Sequence, residues 1–282
     1  MIQIERLCFS YTKKPFIEDM CFTVGKGEIF GFLGPSGAGK STLQRILTGQ
    51  LPGYGGSVRV FGREVRAHGR AFYERIGIDF EFPTLYERLS ARQNLAFFGS
   101  LYARPTREID GLLALVELTQ DADKRVADYS KGMKSRLGYL RALINDPDVL
   151  FLDEPTSGLD PANAWLVKRS ILEEKAKGKT IILTTHNMQD AQSLCDRVAF
   201  IVNGRIAALD TPHALMLRRG AAALSYSYFE DGAERTGQCP LGETGRDALL
   251  QRLIAEGRLV TAHSAEPNLG DIFMEITGRA LL

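Results

Sequence analysis

The run Gly34-Pro35-Ser36-Gly37-Ala38-Gly39-Lys40-Ser41-Thr42 sets a lysine and two hydroxyls behind three glycines. This spacing, G-x-x-x-x-G-K-S, suits the binding of nucleotide phosphates. Glycines let the backbone curl until successive N–H groups point inward and cradle anionic oxygens. Lys40 would reach the β- and γ-phosphates, and the Ser41 hydroxyl would coordinate Mg²⁺. A helix opening at Lys40 would aim its positive end at the same place. The apolar run ahead of the loop, Glu28-Ile29-Phe30-Gly31-Phe32-Leu33, reads as the buried strand that must hold it.

A second constellation is Val149-Leu150-Phe151-Leu152-Asp153-Glu154, an apolar run ending in two acids. Such a run suits a parallel strand buried on both faces. Carboxylates at its C-terminal end would stand where open α/β sheets bind ligands. Asp153 suits a Walker B role, holding Mg²⁺ largely through water, and Glu154 is then placed to polarise the water that attacks the γ-phosphate. Between the two motifs lies Tyr129-Ser130-Lys131-Gly132-Met133-Lys134-Ser135-Arg136, where Ser130 can cap a basic helix whose first N–H groups face an anion.

At this distance before Glu154, the Ser130–Gly132 stretch resembles the L-S-G-G-Q signature of ATP-binding-cassette (ABC) ATPases. The resemblance extends over most of the chain. Tyr11, in Phe9-Ser10-Tyr11, matches the aromatic residue that stacks on adenine in that family. Ser157-Gly158-Leu159-Asp160 matches the D-loop, and His186, after Thr180-Ile181-Ile182-Leu183-Thr184-Thr185, matches the switch histidine that senses the γ-phosphate. Two positions depart from the pattern. Glu81 stands where the Q-loop glutamine belongs, and Gln93 lies too far along, in the next helix, to replace it. Lys131 and Met133 replace a glycine and the final glutamine of the signature, while Ser130 and Gly132 are kept. The S-K-G-M-K form, with F-E-F-P-T-L-Y upstream, is similar to the ATPase subunits of ABC-2-type drug and antibiotic exporters.

The resemblance implies an α/β fold: a P-loop NTPase domain of ABC type, with a helical subdomain over about 85–143 and a small α+β extension at the C-terminus. The expected division is 1–215 for the nucleotide-binding domain and 216–282 for the extension. It further implies that Glu154, His186 and Lys40 carry catalysis, and that Tyr11, Gly34 through Thr42, Ser130, Lys131, Gly132 and Asp160 bind ATP. Ser41, Glu81 and Asp153 would hold Mg²⁺. Two copies would sandwich two ATP molecules, each lending Ser130–Gly132 to the other's site, as a homodimer or with a second cassette protein. The expected further partner is an integral membrane permease, driven from the cytoplasmic face of the membrane. The alternative is a soluble ABC ATPase acting on a non-membrane partner.

The elements that must position these groups are legible as alternations of period. Strands are expected at 2–9, 16–24, 57–61 and 75–80, and helices at 40–48, 94–102, 107–118 and after Ser130. A helix at 162–177 and a hairpin over 200–206 with an Asn-Gly type I′ turn follow. In the tail, strands at 222–229 and 259–263 flank a helix at 246–256. The residues 266–275 resemble the closing segment of ABC-2-type exporter ATPases.

Composition narrows the class further. The chain has 282 residues, 44% hydrophobic and 24% charged, with a net charge of +1. That balance is of ordinary globular type and argues against a nucleic-acid partner. No segment approaches the roughly 20 apolar residues of a membrane helix, and the first residues lack an apolar signal region. Cys8, Cys21, Cys195 and Cys239 have no metal-like spacing and read mostly as buried thiols in a reducing cytoplasm. His213 and His263 are isolated and read as structural or surface residues.

Overall fold

The computed structural model describes residues 1–80, 84–219, 223–265 and 268–278. The central sheet runs in the order Arg205–Asp210, Arg197–Val202, Ile29–Leu33, Thr180–Thr185, Val149–Asp153, Ile76–Asp79. All neighbours are parallel except the hairpin Arg197–Val202 with Arg205–Asp210. Three adjacent strands, Ile29–Leu33, Thr180–Thr185 and Val149–Asp153, are buried at every residue, as expected for a parallel sheet covered on both faces. Their shared direction has a functional consequence. The loop after Leu33, the residues after Thr185 and the acids at the end of the Asp153 strand all emerge at one edge.

A second, antiparallel sheet orders Ile17–Val24, Ile2–Phe9, Gly55–Val60 and Arg63–Glu64. Its inward residues, Ile2, Ile4, Leu7, Met20 and Phe22, share one core with Phe30 and Phe32 of the central sheet. Outward positions on these strands include Cys8 and Cys21, which are exposed, so only Cys195 and Cys239 are buried thiols. Period-2 alternation, rather than apolar neighbours in sequence, decides this.

Helices cluster between the Asp79 strand and the Asp153 strand. Ala91–Gly99 begins three residues earlier than expected, because Ser90 caps it and Gln93 completes a capping box. Gln93 thus spends its amide oxygen on the Ser90 N–H, 2.9 Å away. Ile109–Leu115 is capped by Glu108, and Lys131–Leu143 by Ser130. Pro161–Ala176 starts on Asp160, with proline in its first turn.

The turn Asn203-Gly204 has both residues at positive φ, 48° and 74°, as a type I′ hairpin requires. Gly204 is obligatory for a second reason: a Cβ there would lie 1.8 Å from the Phe16 carbonyl oxygen. Its N–H reaches the Ala38 carbonyl at 3.3 Å, and its own carbonyl accepts from Glu18 N–H at 3.0 Å.

Residues Met1–Asp210 form one compact unit and Thr211–Leu281 another. The dividing point precedes helix Pro212–Arg219, through which the expected 215/216 boundary passes. Within the second unit, strands Ala233–Pro240, Ala223–Glu230 and Leu259–Ala265 make an antiparallel sheet. Helix Ala248–Ala255 buries Leu250 and Leu253 against Tyr226, Tyr228 and Cys239. Helices Pro212–Arg219 and Leu269–Thr277 pack together.

Candidate functional site

The glycine-rich loop leaves the Leu33 strand and enters helix Lys40–Leu47, whose N-cap, Gly39, has no side chain to satisfy the first-turn N–H groups. Those donors and the helix dipole therefore face outward together. Gly34 is needed for close approach, since a Cβ would lie 2.3 Å from the Ile201 carbonyl oxygen. Lys40 folds over the loop, donating to the Gly34 carbonyl at 2.6 Å and the Pro35 carbonyl at 3.2 Å. Tyr11 stands beside this loop with its hydroxyl 2.9 Å from Thr42 Oγ1. Its ring meets Phe9 and Phe16 edge-on at 4.8 and 5.4 Å, yet 55% of the residue is exposed. An aromatic face held by its neighbours and open to solvent is suited to stacking.

Asp153 is buried at the end of its strand. One carboxylate oxygen accepts from Ser41 Oγ at 3.1 Å, the other from Thr184 Oγ1. A hydroxyl and a carboxylate oxygen side by side are hard donors that fit Mg²⁺, which takes one or two protein oxygens and keeps waters and phosphate oxygens for the rest. Among the described residues no cluster of three or more His, Cys, Asp or Glu side chains could hold a metal by itself. Glu81 lies outside the described residues.

Glu154 sits at φ 51°, in the left-handed region that non-glycine residues enter at a cost. Its carboxylate contacts His186 Nδ1 at 2.8 Å and accepts from Thr185 Oγ1 at 3.2 Å. An ionised carboxylate only accepts, so Nδ1 carries the proton and Nε2 is left for another partner. The Glu154 side chain is 10% exposed and that of His186 54%, so the histidine is the solvent-facing member.

Lys131 and Gly132 lie against the turn Gly158-Leu159. A Cβ on Gly158 would lie 3.4 Å from Lys131 Nζ, and one on Gly132 the same distance from Leu159 Cδ2. Ser130 accepts from Met133 N–H at 3.2 Å as an N-cap. Asp160 is committed to its helix, accepting from the Ala162 and Asn163 N–H groups at 3.1 and 3.0 Å. The Asn163 bonds hold its carboxyl below the usual carboxylate range.

Several residues at this edge have no counterpart in the sequence reasoning. Thr184 and Thr185 anchor the two acids, and their signal was the Thr-Thr pair ending an otherwise aliphatic strand. Asp79, buried on the neighbouring strand, has its carboxyl pushed up to about 7 by burial, with Arg141 opposing and Asp153 reinforcing the shift. Arg141 also donates to the Thr84 carbonyl at 2.7 Å, tying helix Lys131–Leu143 to the chain just after Glu81. A polar residue inside an apolar strand pattern was the only sequence hint of Asp79.

Comparison with known proteins agrees with this geometry. Residues 17–157 match the family model described as ABC transporter. A fluoroquinolones export ATP-binding protein of Mycobacterium tuberculosis (strain ATCC 25618 / H37Rv) is 48% identical over 284 aligned residues, covering 100% of this chain and 94% of that protein. The Nod factor export ATP-binding protein I of Rhizobium meliloti (strain 1021) is 39% identical over 297, covering 99% and 89%. Among solved structures, an ATP-binding subunit of an ABC transporter superimposes with a TM-score of 0.70 at 28% identity, over 77% of this chain and 92% of that one.

Proposed function

Because the chain belongs to the ABC transporter family and is an ATP-hydrolysing cassette of it, we propose that it powers a membrane exporter of drugs, antibiotics or other small molecules. The observation that carries this is the full-length similarity to export ATP-binding proteins in a chain whose P-loop, Asp153 and Glu154–His186 pair share one sheet edge. No helix among the described residues is long and apolar enough to cross a membrane, and in this reading a permease chain supplies the crossing segments. We place the protein on the cytoplasmic face of the membrane, bound to that permease and paired with a second cassette.

In this reading Tyr11 stacks on adenine, and the N–H groups from Gly34 to Thr42 bind the phosphates. Lys40 exchanges the Gly34 and Pro35 carbonyls for phosphate oxygens. Ser41 and Asp153 hold Mg²⁺, with Glu81 as a further metal contact and link to the permease; the bound ion would neutralise phosphate charge. Glu154 takes the proton of the attacking water, and the proton on His186 Nδ1 orients its carboxylate. With Nδ1 protonated toward Glu154, His186 Nε2 can donate to the γ-phosphate only as the doubly protonated ring, both nitrogens then being donors. Ser130, Lys131 and Gly132 close the site of a second copy, and Asp160 fixes the helix behind that interface. ATP thereby favours the closed pair, and its hydrolysis releases it.

The test is affinity purification from detergent-solubilised native membranes, with ATPase assay of the product. A stoichiometric polytopic membrane protein and ATP turnover are expected. A chain that purifies alone or with ribosomes would overturn the exporter reading.

A further inference from the structure

Gln44 is the most anomalous side chain near the site. It is 1% exposed, and neither its amide nitrogen nor its amide oxygen has a hydrogen-bond partner in the protein. Leaving a buried amide unpaired forfeits the hydrogen bonds it makes with water in the unfolded chain, so native cases call for a water or ion. Gln44 also lines a cleft of about 520 Å³ together with Ser41, Asp153, Phe80 and Thr84. At roughly 30 Å³ per water, that volume accommodates a hydrated ion.

The position on the helix supports a specific role. Ser41 and Gln44 are three residues apart on helix Lys40–Leu47, hence on one face with Cβ atoms about 5–6 Å apart. A path from Ser41 Oγ to a metal and on to its bound water takes about 2 Å for each link. A hydrogen bond of about 2.8 Å completes it. The total reach of roughly 7 Å covers the separation. Metal-bound water is a strong donor, and an amide oxygen accepts from it without adding charge beside Asp153 and the triphosphate.

We infer that Gln44 is a positioning residue for the metal's water shell, supplying a neutral amide beside Ser41 and Asp153. This rests on the ATP-hydrolysing reading of the site.

The test measures Mn²⁺ affinity by electron paramagnetic resonance, with the full-length protein and a non-hydrolysable ATP analogue. Gln44→Leu and Gln44→Met should each weaken Mn²⁺ binding about tenfold or more, as loss of outer-shell partners does. Affinity for the analogue in EDTA should stay unchanged. Wild-type Mn²⁺ affinity in either folded variant would overturn the assignment and leave Gln44 as a packing residue. Ser41→Ala is the control that separates the two levels: it should abolish Mn²⁺ binding. If it does not, the metal-site reading itself fails and takes the Gln44 role with it.

Discussion

At the scale of single residues, the Glu154–His186 contact makes the sharpest prediction. Glu154→Gln keeps the shape but cannot accept a proton, so hydrolysis should fall by about 10²-fold or more. ATP should remain bound, and light scattering should show a dimer that persists. Normal turnover in this variant would remove Glu154 as the base. Asp79 predicts a pH effect of definite sign. Its folded pKa of about 7 lies above the unfolded value, so the native state holds the extra proton between roughly pH 4 and 7. Stability therefore falls as pH rises through that window, and above it the buried charge is a standing cost. Asp79→Asn should raise stability at pH 8 by a few kcal/mol and change little at pH 4, as urea denaturation at the two pH values would show.

At the scale of elements, capping and turns decide where segments begin. Ser90→Ala removes one half of a reciprocal cap and should cost about 1 kcal/mol, a melting shift of roughly 2–4 °C. Gly204→Ala should be worse, because the new methyl meets a backbone carbonyl that cannot swing away. The strands of the central sheet were legible because aliphatic runs buried on both faces leave an unbroken signature, and the glycine-rich turn after Leu33 because Gly37 and Gly39 stand where the backbone takes positive φ. The start of helix Ala91–Gly99 was misjudged because apolar periodicity sees packing and Ser90 acts through a cap. Strand Ala233–Pro240 escaped notice because it lies at a sheet edge with nearly every residue exposed, which leaves no alternation to read. The Asp79–Arg141 and Thr184–Asp153 relations were invisible because they join segments distant in sequence, and only the strand order brings them together.

At the scale of the whole molecule, two compact units imply separable folding. A fragment ending at Asp210 cuts no helix or strand, whereas one ending at 215 would sever Pro212–Arg219. The shorter fragment should fold and bind ATP, as calorimetry can establish. Loss of its cooperative melting would mean that the second unit is required for the first. Pairing of cassettes and the permease belong to the same scale, because in the proposed reading the Ser130–Gly132 stretch serves the site of another copy. The Asn203-Gly204 turn grips Ala38 from one side and the Phe16–Glu18 backbone from the other, so the glycine-rich loop proposed to hold phosphates leans on a fixed strut before any ligand arrives. Nucleotide capture should then carry little loss of backbone freedom. The Gly204 amide should exchange with deuterated solvent as slowly without ATP as with it.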